Sequence, residues 1–231
     1  MQTKNKTKPN QTKPNQTKPN QTKPKKTKKK FNIRHETSAN AVAWTLLLLA
    51  QHPDKQAKLI EEVDRVLGAR EPTMDDISKL KYTSMVFDES LRLYPVANGI
   101  LRTSKEATKI NGFDIPKNTQ LLISFLLNHY DPHFFPKPTE FIPERFDLNS
   151  KDEGTDYQSK ITPFTYSPFG QGHRSCIGKN FAKTEAVATL ARFFQKYKVS
   201  ITEEQAKKVE VSVLVTLQPK NGIELIVQKR F

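Results

Sequence analysis

The sequence predicts a mainly helical domain with a small β region, an α+β class. Apolar residues recur at helical spacing at Trp44, Leu47 and Leu48, at Leu59, Val63 and Val66, and again from Phe181 to Tyr197. Asn111-Gly112 stands between Ile110 and Phe113, a strong hairpin signal because both turn residues tolerate positive φ. Near the C-terminus, Val209–Leu217 and Ile223–Val227 flank Pro219-Lys220-Asn221-Gly222, the pattern of a terminal β-hairpin with a four-residue turn.

Residues 1–33 form a region of their own, and residues 34–231 the globular part. Thr-Lys-Pro-Asn-Gln begins at Thr7, Thr12 and Thr17, and the copy at Thr22 becomes Thr-Lys-Pro-Lys-Lys. A period of five is too short for a packed repeat, and residues 1–30 hold no apolar run to offset ordering entropy, so disorder is expected there. Lys25–Lys30 resembles an import or polyanion-binding run, or else a solvated tail. The net charge of +14 belongs to this head. Of 38 Lys and Arg, twelve lie in residues 1–34 with no acid, so the other 26 face 24 acids, a balance of +2. One cysteine excludes an internal disulfide framework. The apolar run Ala41–Ala50 is short of the roughly 20 residues a membrane span needs, and no secretory signal is visible.

The elements follow in order. Asn32 to Leu67 reads as helix, renewed at Pro53 with Asp54 in the first turn and ended by Gly68. Thr73 to Leu80 is a short helical segment, and Tyr82 to Leu93 a buried helix stopped by Pro95. Leu101 to Ser124 is the β region, with Leu121–Phe125 a buried strand or helix start. Pro132, Pro136, Pro138 and Pro143 make an extended meander rather than a sheet. His129 has no metal-ligating neighbour at suitable spacing and reads as a hydrogen-bonded structural histidine. Lys151 to Lys160 is a polar surface loop, and a helix starts near Lys179 with the stripe Phe181, Ala182, Ala186, Leu190, Phe193, Phe194 and Tyr197.

The chemistry centres on Phe169-Gly170-Gln171-Gly172-His173-Arg174-Ser175-Cys176-Ile177-Gly178. A thiol placed at a helix N-terminus is favoured as thiolate by the dipole and free N–H groups. The glycines permit tight turns and close approach of a flat ligand, and Arg174 can meet a carboxylate. Taken alone, Cys176 reads first as a small buried hydrophobe. The pattern Phe169-x-x-Gly172-x-Arg174-x-Cys176-x-Gly178, however, resembles the haem-binding loop of the cytochrome P-450 family. Three more motifs stand in the family's order: His35-Glu36-Thr37-Ser38-Ala39-Asn40 of its central helix, Glu89-Ser90-Leu91-Arg92, and Pro143-Glu144-Arg145-Phe146. Glu89 and Arg92 alone would read as a surface ion pair, and Glu36 to Ser38 as a polar helix start.

The resemblance implies a truncated P-450 fold, from the central helix to the C-terminus, with haem b as cofactor. Cys176 is then the axial iron ligand, with Phe169, Gly172, Gly178 and Arg174 around the cofactor and Arg102 reaching a propionate. The thiolate donates electron density that favours O–O cleavage. Glu36 and Thr37 are the expected catalytic proton relay, and Glu89, Arg92 and Arg145 a structural triad in which both guanidiniums bind one carboxylate. The implied reaction inserts one atom of O2 into a small apolar substrate. Its electrons come from NADPH through a flavoprotein reductase, docking on a basic face that includes Lys179 and Lys183. Two departures stand out: Ile33-Arg34 where the family usually has Ala-Gly, and Tyr130 where it often has Arg.

Family members are much longer, and their N-terminal half supplies the membrane anchor and much of the substrate pocket. The resemblance therefore implies an endoplasmic reticulum membrane location, while a chain without an anchor is also compatible with the cytoplasm. A non-catalytic fragment is the alternative, and a polyanion-binding protein acting through the lysine head is the third. The head lacks interleaved aromatics, so no specific nucleic acid is expected.

Overall fold

The computed structural model describes residues 28–31, 37–147, 160–213 and 216–231. At its centre is α1 (Thr37–Gln51), apolar almost all round, with Trp44 and Leu49 wholly buried. Such a helix must be enclosed on every side, and α1 packs against α2 (Pro53–Leu67), α4 (Lys81–Leu93), the late helix α6 (Lys179–Lys196) and the C-terminal strands. Trp44 stacks on Tyr94, ring centroids 4.3 Å apart and planes 5° apart, while its indole N–H reaches Leu217 O at 3.4 Å. The expected helix over 32–67 thus begins, among the described residues, at Thr37 and breaks at His52, where Pro53 opens α2. Gly68 closes α2 at φ +56° and donates its N–H to Asp64 O.

The short helix α3 (Met74–Ile77) starts with a reciprocal capping box between Thr73 and Asp76. After α4 come β2 (Gly99–Thr103), β3 (Thr108–Ile110), β4 (Phe113–Ile115) and β5 (Gln120–Ser124), as two antiparallel pairs. β3 and β4 join through Asn111 (φ 47°) and Gly112 (φ 85°), the hairpin the dipeptide demands. β2 pairs with β5 so closely that a Cβ on Gly99 would lie 2.6 Å from Ile123 O. β5 is not the buried strand expected from Leu121–Phe125, for Leu122 and Ile123 are exposed and only Phe125 is buried. Phe125 opens α5 (Phe125–His129), and the proline meander that follows contains one 3-10 turn, Pro143–Phe146.

The C-terminal strands depart from expectation. β6 (Tyr197–Ser200), β7 (Val211–Val213), β8 (Leu217–Pro219) and β9 (Ile223–Lys229) do not make a hairpin about Pro219–Gly222; α7 (Glu203–Lys207) lies between β6 and β7. β7 pairs with β8, whereas β9 pairs with β6, so the turn at Gly222 (φ +75°) leads from one sheet into another. Buried Gln56 of α2 fixes β6, exchanging hydrogen bonds with both the N–H and the carbonyl of Val199. Tyr197 therefore belongs to a strand rather than to the helical stripe.

β9 also pairs with β1 (Lys28–Phe31) in the register Lys28↔Ile226 to Phe31↔Ile223. This corrects the expectation of disorder throughout residues 1–30, because edge pairing uses main-chain groups and needs no apolar side chain. Residues 1–27 lie outside the described part. The core groups α1, α2, α4 and α6 with Val199, Ile223 and Leu225. Trp44→Ala removes its largest member and should lower unfolding free energy by about 3–5 kcal/mol. Urea unfolding would read this as a lower midpoint at unchanged slope, and a loss under about 1 kcal/mol would contradict this account of the core.

Candidate functional site

Three wholly buried ionic side chains lie behind the site. Glu89 and Arg92 lie one turn apart on α4, and Arg145 comes from the 3-10 turn. Arg92 grips the Glu89 carboxylate with Nε and Nη2, both at 2.8 Å. Arg145 Nε adds 3.2 Å and the Ile142 N–H 3.0 Å, both to Oε1. The remaining Arg92 N–H groups donate to the carbonyls of His129, Pro138 and Glu140, so all five donors of its guanidinium are used. Arg145 Nη2 donates to Lys137 O at 2.7 Å. Arg92 binds the carboxylate bidentately. Arg145 uses one nitrogen on it and another on the meander, so both guanidiniums meet one carboxylate.

His129 carries this assembly towards the cysteine. Its Nδ1 donates to Arg92 O at 3.2 Å, and its Nε2 accepts from Ser167 N at 3.3 Å. Those partners require the neutral ring protonated on Nδ1. Burial first, with the Arg92 charge adding, pushes its pKa down to about 4 against an opposing bond to Arg92 O. Tyr130, where the family often has Arg, donates its hydroxyl to Leu93 O at 2.9 Å.

Ser167 opens the loop that bears Cys176. Gly170 donates to Ser167 O at 2.9 Å, and Cys176 N donates to Phe169 O at 2.9 Å. Gly170 (φ +72°) and Gly172 (φ +71°) take the left-handed backbone this path requires. Phe169 is half-buried against the core and anchors the loop. Gly178 caps α6, three residues before which the chain has exposed the Cys176 thiol. A Cβ at Gly178 would stand 3.8 Å from Cys176 Sγ, so glycine here leaves the approach to the sulfur open rather than avoiding a clash with protein. A Cβ on Gly170 would sit 3.9 Å from Phe125, which joins the loop to the end of β5.

The other expected residues lie apart from this network. Arg174 is exposed in the 3-10 turn Gly172–Arg174. Arg102 is half-buried on β2, opposite Leu121, and donates to Leu101 O. Thr37 is exposed as the first residue of α1, and Glu36 lies outside the described residues. Phe181, expected in the apolar stripe of α6, is 72% exposed, while Val187 and Ala191 join Ala186, Leu190 and Phe194 in the core. Around the loop Phe164, Leu127 and Ile177 are exposed as well. An exposed thiol, an open approach and exposed apolar side chains are the complement of a flat apolar ligand with a soft metal.

Comparison with known proteins decides the family. Residues 9–227 match the Cytochrome P450 family. The chain belongs to this family. It is similar to Cytochrome P450 3A13 of Mus musculus, at 39% identity over 197 residues, and to Cytochrome P450 3A15 of Cavia porcellus at 38%. Lithocholate 6-beta-hydroxylase of Mesocricetus auratus is 36% identical over the same length. Each match covers 85% of this chain and 38% of the relative, so the chain spans well under half the length of these P450s. Among the described residues, no helix is long and apolar enough to cross a membrane.

Sequence reasoning missed what joins the P450 motifs to one another. Asp88 receives both Tyr166 and Lys183, and Ser167 binds His129, pairings that no local pattern signals.

Two outcomes follow. Glu89→Ala leaves two buried guanidiniums without a carboxylate and should cost about 3–5 kcal/mol, measured by urea unfolding; a near-neutral result would contradict the geometry. For His129, the unfolded chain takes up a proton near the ordinary value of 6.5 and the folded one only near 4. Its contribution to stability is thus present above 6.5 and lost as pH falls towards 4, up to about 3 kcal/mol in all. His129→Gln should flatten the stability slope across that window, and equal slopes would refute the assignment.

Proposed function

We propose that residues 34–231 form the thiolate-bearing side of a P450 haem site, with residues 1–33 a basic head of which Lys28–Phe31 pairs with β9. The exposed Cys176 thiol, on a two-glycine loop that the Cys176 N–H closes onto Phe169 O, and left unshielded by Gly178, carries this reading. Cys176 would ligate the iron, Phe169, Gly172 and Gly178 would line the cofactor, and Arg174 and Arg102 would take its propionates. Haem b, when bound, supplies the oxygen chemistry of a monooxygenase, inserting one atom of O2 into a small apolar substrate. The chain's own residues orient it. The Glu89–Arg92–Arg145 network supports the loop through His129 and Ser167, and Cys176 would hold the iron. Glu36 and Thr37 are proposed to pass protons to the oxygen-binding side. Lys179, exposed at the start of α6, suits an acidic electron donor, a reductase fed by NADPH.

A second reading is supported by Leu101, Leu122, Leu127 and Phe164, large apolar side chains left exposed. On it the chain binds haem without turning over substrate.

The test is the ferrous carbon-monoxide spectrum of the full chain expressed with haem supply. A thiolate-type Soret band in the parent, abolished by Cys176→Ala, is expected. No haem uptake by the folded parent overturns the proposal. A thiolate band without NADPH-dependent product from added reductase selects the second reading.

A further inference from the structure

One half-buried residue ties down both ends of the cysteine-bearing stretch. Asp88 stands on α4 just before Glu89, with its side chain 13% exposed. Tyr166 donates its hydroxyl to Asp88 O at 2.8 Å, with Oδ1 at 3.4 Å. Lys183 Nζ lies 2.7 Å from Asp88 Oδ2. Tyr166 precedes Cys176 on the approach to the loop, and Lys183 follows it on the second turn of α6. The Tyr166 ring packs on Phe146 at 4.8 Å and on His129 at 5.3 Å, so the Asp88 contact adjoins the His129–Ser167 bond.

Little else in the described residues opposes movement of the loop as a body. Gly172 to Ile177 are exposed, and the bonds of the loop are mostly internal, as from Cys176 N to Phe169 O. Internal bonds set the shape of a loop but not its position on the fold. Position comes from Phe169, from Ser167, and from the two side chains that converge on Asp88. Burial raises the pKa of Asp88, and Lys183, Tyr166 and Lys179 oppose that rise. A carboxylate so placed is stable only with its partners in position.

We propose that Asp88 is a positioning residue for Cys176: its carboxylate acts through Lys183 behind the loop, while its main-chain carbonyl takes the Tyr166 hydroxyl ahead of it. It touches neither cofactor nor substrate. The exchange test below stands without the haem reading, and the spectral one rests on it.

The test is amide hydrogen exchange on the full chain without haem, comparing Asp88→Asn, Lys183→Met and the double variant, which leaves no unpaired buried charge. Peptides within residues 167–182 should exchange at least about tenfold faster in all three, while α1 holds its protection. The conservative Lys183→Arg should restore slow exchange. Should the single variants unfold throughout, the double variant decides. Fast exchange confined to 167–182 supports the clamp, and parental rates there overturn it. With haem bound, the same variants should lose thiolate-type for non-thiolate-type carbon-monoxide absorption in proportion to the exchange. A parent that takes up no haem removes the spectral arm and the haem reading together, and the exchange result still judges Asp88. Unchanged spectra in variants with fast exchange would confine Asp88 to loop stability and overturn its positioning role.

Discussion

A chain segment with prolines at 132, 136, 138 and 143 cannot build a ladder of its own, yet it lies against the buried Arg92 and Arg145 with carbonyls that need donors. Arg92 and Arg145 supply them, to His129 O, Lys137 O, Pro138 O and Glu140 O. Two guanidiniums in a dry interior need an anion, and Glu89 provides it. The network is better understood as a way to satisfy an irregular backbone than as an ion pair that adds stability. Hydrophobic replacements of equal volume could match its energy but could not donate to four carbonyls. That is why the meander can be irregular and still hold one conformation.

From this constraint the rest of the site follows by short steps. His129, whose carbonyl accepts from Arg92 and whose ring donates to Arg92 O, reaches Ser167 with its other nitrogen. Ser167 begins the turn that places Gly170 against Phe125 and Phe169 against the core. Asp88, beside Glu89 in sequence but facing α6, adds the hold on Tyr166 and Lys183. Helix α4 therefore serves two neighbours with two adjacent carboxylates, one turned to the meander and one to the helix beyond the cysteine.

What the sequence made legible was local. Pro53 and Gly68 bound α2, Asn111-Gly112 makes its hairpin, and Gly170 and Gly172 of the loop sit where positive φ is required. The partners of Glu89 were legible only through resemblance, since Arg145 is far along the chain and no periodicity links them. The C-terminal sheet was misread for a physical reason. A turn at Pro219–Gly222 is visible locally, but β9 finds its partner in β6, a four-residue strand directly after a long helix. Four residues carry almost no alternation, and Tyr197 fits a helical stripe as well as a strand. Phe181 was misplaced because periodicity reports which residues share a face, not whether anything covers it.

The distribution of exposed apolar groups bears on the same point. Leu101 and Leu122 face each other across β2 and β5, and both are exposed. Ile177 is exposed beside the exposed thiol, and Phe164 lies at the approach to the loop. Single exposed apolar residues are ordinary on a protein surface. Here Ile177 lies in the loop, Phe164 on its approach, and Leu101 and Leu122 on the ribbon that Phe125 joins to it, while α1, α2, α4 and part of α6 make the core. The buried polar network lies behind the cysteine and the uncovered apolar groups lie about it. These groups suit an apolar ligand, in keeping with the haem proposed at Cys176.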